Sequence, residues 1–409
     1  MSGQKPHVLI IGAGIGGLTL AQSLRKRGVT FEIFERDASR TFRGQGYAIG
    51  LYDLGNLFGD ALPDDVPPIR DSCHLLPLPL PSQLVFHLPD RMLTVEDSPE
   101  TPCIRANRGR LREILSTGLD IHWDKEAVRI DEVDDMVTVF FRDGTSASGE
   151  LVVGADGTHS AVRPHVLKQP NSEMLYKYPN PPVGGEVKLR GAEMEGQLQL
   201  GYSSYIAFGP GFTFFNGINQ VNVEDDGSVS ADYYWVISNN ETSLEGTSNE
   251  ELLDYALNKV QPLEPKFRCM VERTKPEGIR QSFGWWDALI PASRLPPVNR
   301  TLLIGDACHP MTPNLGEGAI FAIREGVRLG DILGQTDLSD MVSLRAKLDE
   351  FQRDIADKGH ESVLAARMTM NNTRKGTAPM AWGHRMSPLA ELKPLPIKLS
   401  EWRAERKHS

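Results

Sequence analysis

The sequence predicts an α/β fold: a parallel sheet interrupted by an inserted antiparallel sheet, with helices at the C-terminal end. Three observations carry this prediction. "HVLIIGAGIGG" is a short apolar run closing in glycines, followed by a helical pattern and a second apolar run. Residues 185–240 alternate and are rich in aromatics and glycine, as in "LGYSSYIAFGPGFTFFNG" and "DYYWVIS", which is the pattern of antiparallel strands. From Asp306 to about Met370 the periodicity becomes helical.

The first run reads as a buried parallel strand. "GGLTLAQSLRKRG" reads as a helix with Leu18, Ala21 and Leu24 on one face and Gly28 at its C-terminal stop. "FEIFERD" is the second strand of a βαβ unit of about 30 residues. Gly12, Gly14 and Gly17 between them form G-x-G-x-x-G. The first glycine allows the tight turn, the second lets backbone approach a pyrophosphate, and the third lets helix and strand pack closely. The helix start then offers free N–H groups and a positive dipole end to an anion. Glu35, ending the second strand, can accept hydrogen bonds from ribose hydroxyls and would repel a 2′-phosphate. The motif fits a dinucleotide but leaves open whether it is a diffusing nicotinamide or a retained flavin. Residues 62–100 are rich in proline and leucine, and the prolines point to edge structure and loop.

Two later stretches bear on that choice. "ELVVGADGTHSAVR" takes an apolar strand into Asp156-Gly157, which by itself is a common D-G turn, with Arg163 close behind. "RTLLIGDACHPMTPNLGEGAIFAIREG" takes another strand into Gly305-Asp306, then a proline loop, then Gly316 and Gly318 at a helix start. Asp306 can accept hydrogen bonds from a polyol chain such as ribitol. The two glycines admit a flat ring, and the helix dipole would stabilise negative charge on it. A nicotinamide site needs no such second half-site, so the reading is a flavin.

The bulk numbers fit this. The chain has 409 residues, about two domains' worth. A formal charge of −10 argues against a nucleic-acid partner. Cys73, Cys103, Cys269 and Cys308 form no C-x-x-C, so we expect reduced thiols, no metal site and a cytoplasmic location. No long apolar run predicts an integral membrane segment. The basic tail from Arg374 reads as a packed helix or a mobile, solvated end.

With the three motifs together, the chain resembles the class A flavoprotein monooxygenases of the para-hydroxybenzoate hydroxylase type, most closely fungal members similar to salicylate hydroxylases. The resemblance covers roughly residues 6–340 and includes "ANRGRLREIL", which places Arg108 and Leu111, and "FGPGFTFFNG". It implies a Rossmann-like FAD-binding domain of the GR2 type, with NAD(P)H as a transient co-substrate. The implied domains are discontinuous: 1–75, 97–170 and 290–340 for FAD, 76–96 and 171–289 for substrate, and 341–409 as a C-terminal region. The implied cofactor residues are Gly12, Gly14 and Gly17 at the pyrophosphate and Glu35 with Arg36 at the adenosine end. Arg43 and Arg108 would serve the phosphate and ribityl region, and Asp156 and Gly157 both FAD and NAD(P)H. Asp306 would bind the ribityl chain, and Pro313, Gly316, Gly318 and Ala319 would border the ring. The chain departs from the pattern at Ile320, where the family usually has Asn, and at Glu325-Gly326, where it usually has Asp-Ala.

The implied reaction is hydroxylation or epoxidation through a flavin C4a-hydroperoxide formed from O2. The expected substrate is an aromatic or polycyclic apolar small molecule, in fungal secondary metabolism. Tyr202, Tyr205 and His309 are candidate general bases, each with a structural reading beside it. Phe208, Phe212, Phe214, Tyr234, Trp235, Trp285 and Trp286 are candidates for either pocket lining or core. Two rival classes stay open: an FAD oxidase or dehydrogenase, and a flavin-bound cyclase or isomerase without net redox work.

Overall fold

A computed structural model describes residues 7–42, 46–238, 244–281, 284–336, 340–374, 390–391 and 399. Its parallel sheet has five strands in the order Thr301–Leu303, Leu151–Gly154, His7–Ile11, Thr30–Phe34, Ile121–His122. Val8, Leu9 and Ile10 are fully buried, as expected of a strand covered on both faces. The helix Ile15–Arg27 follows, with Arg25, Lys26 and Arg27 at its negative end and Gly28 left-handed at φ 62°. The sequence predicts one buried face for this helix, but every residue from Ile15 to Leu24 is buried. The reason is a second helix, Gly318–Gln335, packed across it. Gly326 permits that approach: a Cβ there would stand 2.9 Å from the Leu20 nitrogen.

The second sheet has eight strands, ordered Ile279–Gln281, Val183–Arg190, Val229–Ser238, Phe212–Val223, Ser204–Gly209, Gln83–His87, Met92–Glu96, Ala390–Glu391. All its pairings are antiparallel except Ser204–Gly209 with Gln83–His87. Gln83–His87 corrects the expectation of edge and loop for the proline-rich stretch. It is an interior strand, and it is possible because no proline falls between Pro81 and Pro89. On one face, Tyr205, Phe212, Phe214, Tyr233 and Trp235 form a core with Met194, Leu198, Phe267 and Met270 from the covering helices. Strand alternation puts Tyr234, Phe215 and Gly217 on the opposite face. A three-stranded antiparallel sheet spans Ala127–Val133, Met136–Phe141 and Ser146–Gly149.

The long helix Met341–Arg374 bridges the two halves. Its Arg367 donates to the buried Asp287, which also accepts from the Tyr178 hydroxyl at 2.6 Å. The tail beyond Arg374 lies outside the described residues, apart from the strand Ala390–Glu391, which pairs with Leu93 and Thr94, and Leu399. The four cysteines are free thiols, and among the described residues no helix is long and apolar enough to cross a membrane.

Candidate functional site

All three glycine-bearing motifs leave the C-terminal ends of adjacent parallel strands, where open α/β sheets form their ligand crevice. They interlock there. Gly12 has φ +109°, and a Cβ on it would meet the Ala155 oxygen at 2.5 Å. A Cβ on Gly17 would fall on the Gly12 carbonyl. The helices Ile15–Arg27 and Gly318–Gln335 both start without a side-chain cap and without an acid in the first turn. Neither N-cap side chain takes up the leading N–H groups.

Glu35 is buried beside the first loop. One carboxylate oxygen accepts from the Ala13 N–H at 2.8 Å and the other from Asp37 N–H at 3.0 Å. From the other side, the buried Arg112 donates through Nε to the Ala13 carbonyl at 3.2 Å. Sequence reading missed Arg112, having placed the neighbouring Arg108. One turn separates the two on Arg108–Leu115, so a shared helix face was the available signal. Arg108 is exposed and borders Gly46; Arg36 is also exposed. Arg43 lies outside the described residues.

Arg163 joins the second and third motifs. Its buried guanidinium donates to the backbone carbonyls of Ala307 at 2.8 Å, Asp306 at 2.7 Å and Thr158 at 2.8 Å, and to the Asn171 side chain at 2.9 Å. Asp156 accepts from Ala161 N–H at 2.6 Å through one oxygen, while the other is buried without a partner among the described residues. Burial pushes the Asp156 carboxyl above the usual range despite those hydrogen bonds. Asp306 is raised by burial too, against the opposing charges of His309, Arg108 and Arg163. Its carboxylate accepts from Thr158 Oγ1 at 3.4 Å and lies 3.7 Å from where a Gly318 Cβ would stand. Gly157 and Gly316 are left-handed, at φ +82° and +66°, with open space on the Cβ side; Pro313 is exposed and Ala319 half-buried.

Glu325 supports this loop from below. One oxygen accepts from Gly305 N–H at 2.7 Å, and the other meets His309 Nε2 at 2.7 Å. The departure Glu325-Gly326 is thus structural on both sides. Ile320 is buried in the main apolar core. His309, one candidate base, is held at Nε2, packed against Gly359 of the long helix and edge-on to Phe321. Tyr205 is not brought to the loops: it lies in the helix-covered core and donates its hydroxyl to Gln197 at 2.8 Å. Tyr202 packs at the margin of that core. Phe212, Phe214 and Trp235 are core; Tyr234 faces the other way, and Trp286 meets His159 of the second motif edge-on.

Residues 10–49 match the family described as an NAD(P)-binding Rossmann-like domain. The chain is 37% identical over 403 residues to the FAD-dependent monooxygenase thnD of Trichoderma harzianum, covering 94% of this chain and 98% of that one. It is 28% identical to the FAD-dependent monooxygenase cctM of Talaromyces islandicus, covering 87% and 90%. Its fold is similar to that of HpxO from Klebsiella pneumoniae, solved with FAD and uric acid, with a TM-score of 0.68, 21% identity and coverage of 90% and 88%. Identity of this extent, with the three loops meeting at one sheet edge, shows that the chain is an enzyme and belongs to the FAD-dependent monooxygenases.

Proposed function

We propose that the enzyme uses NAD(P)H and O2 to hydroxylate or epoxidise an aromatic or polycyclic apolar small molecule, in the cytoplasm and in fungal secondary metabolism. The observation that carries this is the convergence of Gly12–Gly17, Asp156-Gly157 and Asp306–Gly318 on one crevice beside a second, aromatic-bearing sheet. The fungal sources of two relatives support the setting.

The residues present fit FAD. Two uncapped helix starts suit its pyrophosphate and its ring, the unpartnered Asp156 oxygen needs a donor, and Asp306 suits a polyol. In this reading Gly12, Gly14, Gly17, Glu35 and Arg36 hold the adenosine end. Arg43, Arg108, Asp156, Gly157 and Asp306 hold the middle. Pro313, Gly316, Gly318 and Ala319 border the ring. Bound there, FAD supplies acceptance of hydride from NAD(P)H and activation of O2. The protein's own work is to keep the loops rigid through Arg163, Arg112 and Glu325, and to exclude water. The strands and helices of 76–96 and 171–289 form the substrate side, and residues 1–75, 97–170 and 290–340 the cofactor side.

Purified protein is expected to be yellow and to release FAD on denaturation. A substrate screen reads stimulated NAD(P)H oxidation, with ¹⁸O from labelled O2 appearing in the product. Product without label would establish the oxidase or dehydrogenase reading instead. Turnover without NAD(P)H and O2 would establish the cyclase or isomerase reading.

A further inference from the structure

The carboxylate at the start of the helix Gly318–Gln335 is turned away from it. Glu317 is the N-cap residue, with its backbone already helical at φ −94° and ψ −21°, yet its side chain makes no capping hydrogen bond. The Phe321 N–H donates to the Glu317 carbonyl at 3.0 Å. The N–H groups of Gly318, Ala319 and Ile320 come before it and stand outside the helix's own ladder. A carboxylate in this position is drawn to such a helix start by hydrogen bonding and by the macrodipole. Another group must hold Glu317 off.

Ser362 does so. It lies in the long helix Met341–Arg374, is fully buried, and donates its hydroxyl to a Glu317 carboxylate oxygen. The same hydroxyl oxygen is 3.7 Å from Met311 Sδ. A hydroxyl has one proton, and the carboxylate is much the stronger acceptor. Ser362 thus touches both ends of the stretch Met311–Glu317, which carries Pro313 and Gly316. Gly359, one turn earlier on the same helix face, packs against His309. Asp306 already brings one carboxylate near this helix start, 3.7 Å from where a Gly318 Cβ would stand. A second carboxylate swung onto the N–H groups would cancel the positive end that they present.

We infer that Ser362 is a positioning residue for the redox reaction: by holding the Glu317 carboxylate off the helix start, it keeps the leading N–H groups available to negative charge on the reduced ring. Without the Ser362 hydroxyl, Glu317 folds back onto its own helix, occupies those N–H groups and opposes that charge. Ser362 acts through Glu317. This inference rests on the ring site proposed above.

The test reads the reduction potential of bound FAD in the purified enzyme, by equilibration with a reference dye. Ser362→Ala should disfavour the reduced form about tenfold, a fall of about 30 mV for a two-electron couple. Adding Glu317→Gln to that variant should return the potential to the wild-type value or above, because the amide carries no charge. Where Ser362→Ala holds FAD too weakly for a potential, FAD retention is read in its place, with the same restoration required. Melting temperatures are measured alongside. An unchanged potential in Ser362→Ala would overturn the inference. So would a fall that Glu317→Gln does not reverse, which is what a simple loss of helix packing would give. If wild type as purified holds no FAD, the reading above falls, and hydrogen exchange at the amides of 318–320 decides this inference instead. Exchange should then be slower in Ser362→Ala than in the double variant, and equal rates would overturn the inference.

Discussion

His309 Nε2 lies 2.7 Å from Glu325 Oε1, and both side chains are buried. The second Glu325 oxygen holds the Gly305 N–H, so one carboxylate supports both ends of the turn that presents Asp306. The turn is built on the strand Thr301–Leu303, and Glu325 comes from the helix that packs on Ile15–Arg27. Through this pair, helix packing is transmitted to the loop that borders the proposed ring site.

Removing one member should therefore be expensive. Glu325→Ala is expected to cost about 3–5 kcal/mol, the usual loss when a buried ion pair is broken from one side. Denaturant unfolding measures it. A cost below about 1 kcal/mol would mean that the pair is not a support.

The same pair sets a pH dependence. Burial works against the His309 imidazolium, but the charge and hydrogen bond of Glu325, with the charge of Asp306, outweigh it and raise the pKa. Its contribution to stability is thus complete below the unfolded histidine value of about 6.5 and is lost as pH rises through the higher folded value. Melting temperature followed from neutral to alkaline pH should fall less steeply in His309→Gln than in wild type. Parallel curves would contradict the assignment.

Glycines in the motifs should differ sharply in tolerance. Gly17→Ala drives a methyl into the Gly12 carbonyl, which is backbone and cannot yield cheaply. Gly316→Ala meets open space and only its left-handed φ of +66°, a cost of about 1–2 kcal/mol. Soluble yield and melting temperature should rank wild type, then Gly316→Ala, then Gly17→Ala.

Asp306→Ala is expected to weaken FAD retention about tenfold or more, by loss of a charged acceptor. Flavin remaining after gel filtration of the purified variant reads this directly. Undiminished flavin would remove Asp306 from the cofactor set.

Tyr205→Phe separates a core tyrosine from a catalytic one. Its hydroxyl donates to Gln197 within the helix-covered core, so the variant should lose about 1 kcal/mol of stability. The pH profile of turnover should be unchanged. A displaced profile would return Tyr205 to the reacting groups.

Much of the architecture was legible in the chain because its signals are local. "HVLIIGAGIGG" specifies a strand, a turn and a helix within a few residues, and the left-handed stop at Gly28 follows from the same stretch. Alternation in 185–240 specifies strands, though not which face of each is covered. That is why Phe212, Tyr234 and Trp235 could not be sorted into core and cleft beforehand: helices from 191–198, 249–259 and 265–272 decide it. The interior position of Gln83–His87 was hidden by neighbouring prolines, since a strand's place in a sheet depends on partners distant in sequence.

By itself, then, the sequence determined the nucleotide-binding strand–turn–helix, the two later glycine loops and the division into parallel and antiparallel sheets. Backbone turns, caps and periodicity act over a few residues and can be read from them. Only the tertiary structure decided that Arg163 rivets the second loop to the third, that Arg112 and Glu35 clasp Ala13 from two sides, and that Arg105 is buried against Tyr234. Burial, and the hydrogen bonds it makes obligatory, is a property of surfaces brought together from distant parts of the chain.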